Sequence, residues 1–388
     1  MTSADRWLLP DGIEEVLPPQ ARRIEQLRRR LLDQLDNSGY DLVIPPALEY
    51  LDSLLTGVGK DLDLRTFKVT DQLSGRLMGL SADTTPQVAR IDAHSLAPEG
   101  ISRLSYCRTV FHAKASSLLA SRTPTQIGAE LYGEAGVSAD VEIISLMLTL
   151  LESAGVQQVH LDLGHVGVFR ALAAKAGISA EQQRELFDLL KLKCATDLEA
   201  WAAREIQDAA LAEAFALLIR LQGDRQKLDA AISRMAELVP ETSAELAHIQ
   251  QVAEQLALRF PQTSLYFDLT ELRGYNYHTG LVFAAYIPGY GDAIAQGGRY
   301  DETGAVFGRA RPATGFSADL KVLARFGTYQ TEAKQTVVAP NDNDPALWQL
   351  IAQLREQGKR VVVPLNDDAI RADLYLKKLD GQWQLVEA

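Results

Sequence analysis

Cysteine is nearly absent from this sequence: only Cys107 and Cys194 occur, with no C-x-x-C pair. That excludes a disulfide scaffold and a cysteine metal site, and it suits a reducing cytosol in which both thiols serve as small buried hydrophobes. The six histidines are scattered. His160 and His165 fall on a strand and its following loop without H-E-x-x-H spacing; they read as surface or packed side chains, so no metal is expected. Nothing matches a G-x-x-x-x-G-K-[ST] phosphate loop or a G-x-S-x-G nucleophile elbow, and Gly289-Tyr290-Gly291 lacks the strand-turn-helix context of a dinucleotide fingerprint. Long apolar runs are missing too. Val141 to Leu151 is broken by Glu142, Ser145 and Thr149 and reads as a buried helix, too short to span a bilayer. The N-terminus carries acids and a proline where a signal peptide needs a basic start and an apolar run, which points to a cytoplasmic chain. Lysine and arginine total 39 against 51 aspartate and glutamate, a net charge of -12. A broad electrostatic grip on nucleic acid or an anionic membrane is therefore not expected.

What is present is an ordinary globular composition, 47% hydrophobic and 23% charged, over 388 residues. That length suits two or three domains. From Pro19 to Asn37, Ile24, Leu27, Leu31, Leu32 and Leu35 recur at helical spacing with arginines on the remaining surface, giving an amphipathic helix ended by Gly39. A strand follows over Tyr40 to Ile44, halted by Pro45-Pro46. Val159, Leu161 and Leu163, then Leu265, Phe267 and Leu269, alternate with polar residues and predict strands with one apolar and one polar face, hence a mixed or antiparallel sheet with helices on one side. Residues 169–260 are rich in helix formers at helical spacing and read as a mostly helical insertion. A polar linker at 327–335 leads to a small α/β unit at 336–388, with a hairpin turning through Asp380-Gly381.

Chemistry concentrates in six stretches: Leu80-Ser-Ala-Asp-Thr-Thr-Pro86, Phe111-His-Ala-Lys114, Gln126-Ile-Gly-Ala-Glu130, Leu272-Arg-Gly-Tyr-Asn-Tyr-His-Thr-Gly280, Gly297-Gly-Arg-Tyr-Asp301 and Gly315-Phe-Ser-Ala-Asp-Leu-Lys321. Gln126 and Glu130 share one strand face. On these motifs the chain over residues 5–325 resembles the catalytic core of histidyl-tRNA synthetase. The resemblance implies an α+β, class II aminoacyl-tRNA synthetase-like core over 1–326, its mostly antiparallel sheet flanked by helices. It also implies a histidine pocket at Asp83, Thr85, Gln126, Glu130, Arg273, Tyr277, His278 and Tyr300. Those residue types suit a zwitterion bearing an imidazole: the acids and the amide meet N–H groups, Arg273 meets a carboxylate and Tyr277 walls the ring. Two positions depart from the synthetase pattern, Asp83 replacing Glu and His278 replacing Tyr.

Larger departures fall at the nucleotide site. His112 stands where the synthetase motif has Arg, Lys114 where it has Glu, and Lys321 where an Arg clamps ATP; a lysine lacks the planar fork of a guanidinium. Phosphoryl and adenylyl transfer depend on positioned charge, so adenylate formation is not expected. The loop Ala115 to Thr125 holds one arginine and two adjacent leucines, a poor fit to an acceptor stem. A synthetase-like core altered in this way resembles the ATP phosphoribosyltransferase regulatory subunit family. That resemblance implies a subunit with no catalysis of its own and no cofactor. It would join a short-form catalytic phosphoribosyltransferase chain in a hetero-octamer, form a homodimer through its core, and transmit feedback inhibition by histidine in the first step of histidine biosynthesis. Two alternatives remain at this level: an active histidyl-tRNA synthetase with a degenerate ATP site, and a stand-alone amino-acid or tRNA sensor.

Overall fold

The computed structural model describes residues 7–56, 60–115, 117, 120–270, 277–331, 333–365 and 370–388. In chain order its strands are β1 Asp41–Leu42, β2 Leu48–Tyr50, β3 Phe67–Thr70, β4 Leu77–Leu80, β5 Ser102–Thr109, β6 Thr125–Tyr132, β7 His160–His165, β8 Gln222–Gly223, β9 Ser264–Asp268, β10 Leu281–Tyr286, β11 Ala295–Arg299, β12 Ala313–Asp319, β13 Thr336–Val338, β14 Arg360–Val362, β15 Leu374–Leu379 and β16 Gln382–Glu387. The chain divides into two compact units, Met1–Tyr329 and Gln330–Ala388.

The first unit is built on a nine-stranded sheet in the order β1-β5-β6-β12-β11-β10-β7-β9-β8. Its pairings are antiparallel except β1 with β5 and β7 with β9. Strand alternation separates two faces. On β6, Ile127, Ala129 and Leu131 join the main core, whereas Gln126, Gly128 and Glu130 point the other way. Helix Val137–Ser153 is apolar almost all round and lies inside that core, burying Val141, Ile144, Met147, Leu148 and Leu151. Helix Gln20–Asn37 lays only one stripe inward, Leu27, Leu31 and Leu35. All three are fully buried, and the arginines ring the exposed side. On the opposite face the short helix Thr85–Arg90 sets Val88 and Ala89 against Leu104, Tyr106, Tyr132 and Tyr300, and the candidate site lies there.

Between β7 and β9 the chain forms helices Val166–Ala176, Ala180–Leu192, Ala195–Glu205, Ala209–Leu218, Arg225–Leu238 and Ser243–Arg259. It returns to the sheet once, as β8, which pairs with β9. Trp201 and Phe215 meet edge to face at 5.6 Å inside this segment. Three details depart from the sequence reading. The strand expected over Tyr40 to Ile44 shrinks to β1, whose two residues are exposed, because Pro45 and Pro46 end the ladder. His165 ends β7 as a buried residue instead of starting a loop. Cys107 and Cys194 are free thiols, each only half-buried.

The second unit orders its strands β14-β13-β15-β16, with β13 parallel to both neighbours. Asp344 caps helix Pro345–Glu356 by accepting from the Ala346 amide at 3.0 Å. Leu347, Ile351 and Leu354 of that helix close over Val337, Val361 and Leu376. The β15–β16 hairpin turns through Asp380 and Gly381, at φ 48° and 81°. Two consecutive positive φ values are what a two-residue type I′ turn demands.

Candidate functional site

The polar face of β6 sets the site. Glu130 is buried and accepts a hydrogen bond from the Tyr106 hydroxyl at 3.1 Å and another from the Tyr300 hydroxyl, which also lies 3.2 Å from that of Tyr132. Gly315 sits directly opposite on β12, and any side chain there would collide with the Glu130 carboxylate. On β11, a Cβ at Gly298 would meet the His278 ring at 2.8 Å. These glycines make room for the Glu130 carboxylate and the His278 ring to lie close against the sheet. Burial pushes the Glu130 carboxyl up to about 8, while the hydroxyls of Tyr300, Thr85 and Tyr106 work in the opposite direction. A carboxyl in this state is ready to ionise when a ligand brings an N–H or a cation.

Gln126, four residues earlier, joins the strand to the loop before helix Thr85–Arg90. Its Oε1 accepts from the Thr84 amide at 2.9 Å and the Thr84 hydroxyl at 2.8 Å, and its Nε2 donates to Asp83 Oδ1 at 3.3 Å. Asp83 Oδ1 also accepts from the Thr85 amide at 3.2 Å. The Thr85 hydroxyl lies 3.4 Å from that of Tyr106. On the far wall Tyr277 stacks on Tyr300, ring centres 5.1 Å apart, and meets the His278 ring edge to face at 5.3 Å. Burial pushes the His278 imidazole down to about 4, and its neutral ring donates from Nδ1 to the Arg299 carbonyl at 3.3 Å. Asp83, Thr85, Gln126, Glu130, Tyr277, His278 and Tyr300 are thus linked through one chain of hydrogen bonds and ring contacts. Arg273 lies outside the described residues. Sequence reasoning missed Thr84, Tyr106 and Tyr132: on alternating strands an aromatic reads as core, and only pairing to Glu130 reveals a polar role.

Of the three nucleotide-site positions that depart from the synthetase pattern, His112 and Lys321 have partners within the chain. His112 is buried, and its Nε2 lies 3.0 Å from the Ala82 carbonyl while Arg65 Nη2 stands 3.3 Å from Nδ1. A neutral ring with its proton on Nε2 donates to the carbonyl, and Arg65 Nη2 faces the ring edge, 2.9 Å from Nε2 as well as 3.3 Å from Nδ1. Burial, then the Arg65 charge, pushes its pKa down, consistent with that form. Arg122, the one arginine of the loop, donates to the His112 carbonyl at 3.0 Å and to the Asp11 carbonyl at 3.1 Å. Lys321 reaches Glu14 at 3.4 Å. Lys114 is exposed. The N-terminal segment therefore crosses this region and supplies a carboxylate where a nucleotide would bring phosphate.

Among the described residues no three His, Cys, Asp or Glu side chains are arranged to hold a metal ion, and no helix is long and apolar enough to cross a membrane. A mostly antiparallel sheet flanked by helices, with a buried polar cluster around Glu130, has the architecture of a class II synthetase-like protein. The family model described as Histidyl-tRNA synthetase matches residues 12–323. A second, described as ATP phosphoribosyltransferase subunit HisZ C-terminal domain, matches 334–386. The chain is 54% identical over 393 residues to an ATP phosphoribosyltransferase regulatory subunit of Ectopseudomonas mendocina (strain ymp), covering 100% of this chain and 99% of the other. It is 56% identical to that of Pseudomonas syringae pv. syringae (strain B728a), covering 100% and 97%. Among solved structures, an ATP phosphoribosyltransferase regulatory subunit/histidyl-tRNA synthetase from Bacillus halodurans C superposes with a TM-score of 0.81 at 27% identity, covering 94% of each chain. Histidyl-tRNA synthetase from Nostoc sp. PCC 7120, at 18% identity and TM-score 0.77 over 98% and 97%, shares the fold. The chain belongs to the ATP phosphoribosyltransferase regulatory subunit family.

Proposed function

We propose that this protein is a non-catalytic regulatory subunit of ATP phosphoribosyltransferase that activates a short-form catalytic chain and carries feedback inhibition by histidine. The observation that supports the reading is the polar cluster around Glu130, where the Tyr106 and Tyr300 hydroxyls meet a buried carboxylate, beside a region in which His112 rests on Ala82 and Lys321 on Glu14. Histidine fits the pocket chemically: its N–H groups meet Glu130, Gln126 and Asp83, and its ring meets the Tyr277–Tyr300 stack. Feedback then requires only that histidine bind one state of the assembly better than another. Catalysis by this chain would require a phosphate clamp, and the lysine and histidine standing there are already engaged.

Exposed Leu42 and Ile44, on and just after β1, and Leu48, Val69, Leu73 and Leu77, on the small β2-β4-β3 sheet and its β3–β4 turn, suit a homodimer contact through the core. Neither nucleic acid nor membrane enters this reading, since the surplus of acid repels both. Co-expression with a short-form catalytic subunit tests it. A stable co-purifying complex, faster phosphoribosyl transfer and inhibition by histidine are expected; a catalytic chain equally active and equally inhibited alone would defeat the reading. Histidine-dependent pyrophosphate exchange at a synthetase rate would establish the active synthetase instead.

A further inference from the structure

Behind the pocket wall one buried carboxylate gathers elements that are distant in sequence. Arg299, on β11 next to Tyr300, is 5% exposed. Its carbonyl accepts from the Thr279 amide at 2.7 Å and from His278 Nδ1, and its guanidinium runs to the other side of the sheet. There Nε donates to Asp140 Oδ2 at 3.1 Å, with Nη2 at 3.0 Å from the same oxygen. Nη1 donates to Asp301 Oδ1 at 3.2 Å and to the Glu134 carbonyl at 3.1 Å, and Nη2 also donates to the Gly136 carbonyl at 3.4 Å. Asp140 is fully buried in the first turn of helix Val137–Ser153. The same Oδ2 accepts from His248 Nε2 at 2.8 Å, and His248 belongs to helix Ser243–Arg259, the last helix before β9. The His248 and His165 rings lie 5.7 Å apart.

We propose that Asp140 is the positioning residue through which occupancy of the pocket is passed to the helical segment between β7 and β9. Arg299 holds the backbone that carries Tyr300 and receives His278, so a ligand that fixes those side chains fixes Arg299. Its guanidinium is planar and spans four acceptor groups, so it has little freedom to accommodate wall movement by itself. Asp140 shares one oxygen between Arg299 and His248, and its Oδ1 has no hydrogen-bond partner among the described residues. Any shift of the guanidinium is felt at once by the imidazole on helix Ser243–Arg259. Rigidifying one end of such a chain rigidifies the other, a coupling that needs no large displacement.

The inference rests on the pocket being a histidine site, and the experiment separates the two. Amide exchange over 243–259 and calorimetric histidine binding are measured on the full chain and on His248→Ala and His248→Gln. In the unaltered chain, histidine should slow exchange in that helix at least fivefold. His248→Ala should bind histidine within threefold of the unaltered chain yet lose the slowing, and His248→Gln, which keeps an N–H donor, should restore it. Slowing that survives in His248→Ala overturns the coupling, as does an unaltered chain that binds histidine with no change in the helix. An unaltered chain that fails to bind histidine overturns the pocket reading first and the coupling with it.

Discussion

Glu130 is a carboxyl whose state the protein leaves for a ligand to decide. Burial lifts its pKa to about 8, above the ordinary glutamate value of 4.5. The sign follows: the stability it contributes is present in full below about pH 4.5 and is lost as pH rises through about 8. Glu130→Gln should flatten that slope in thermal melts run from pH 5 to 9. Near pH 7 the empty pocket holds the proton, and an N–H-bearing ligand should expel it. Histidine titrations in buffers of different ionisation enthalpy should therefore report release of about one proton, absent in Glu130→Gln; a buffer-independent heat would contradict the assignment. His112 makes the opposite case, a residue that looks substitutable and is not. His112→Arg would set a second guanidinium beside Arg65 and remove the neutral donor to the buried Ala82 carbonyl, a loss of about 1–3 kcal/mol in denaturant unfolding. No pyrophosphate exchange should appear in the variant.

Elements were legible in proportion to how far they carry a local signal. Helix Gln20–Asn37 announced itself because Leu27, Leu31 and Leu35 recur every turn, and Leu31→Ala should cost about 2–5 kcal/mol in chemical denaturation. The β15–β16 hairpin was visible in Asp380-Gly381. Gly381→Ala, at φ 81°, should lower the unfolding free energy by about 1 kcal/mol. The β2-β4-β3 sheet left no trace in the sequence: its strands are three or four residues long and several of their apolar side chains are exposed, so alternation has no room to show. The pocket expectation came from the resemblance to histidyl-tRNA synthetase, and only the shared face of Gln126 and Glu130 from strand period. Tyr106 and Tyr132 escaped because register, not local sequence, sets them beside Glu130. Asp140 carries no local signal of its role, because Arg299 and His248 reach it from elements distant in sequence.

For the whole molecule, two separate cores mean two separable stabilities. The unit Met1–Tyr329 holds its own large core, and the unit Gln330–Ala388 closes around Val337, Leu347, Ile351 and Leu376. Ending the chain after residue 329 should leave a folded protein whose calorimetric affinity for histidine stays within about threefold of the full chain, because every described pocket residue lies in the first unit. The N-terminal segment that crosses the nucleotide region has a consequence for redesign. Lys321 pairs with Glu14, and His112 is held between the Ala82 carbonyl and Arg122, so each change towards an adenylating site strands a partner before any benefit accrues. A search that accepts or rejects substitutions singly would meet only losses there. Recovering such a chemistry would demand several replacements made together, including the removal of a tether that is not part of the sheet at all.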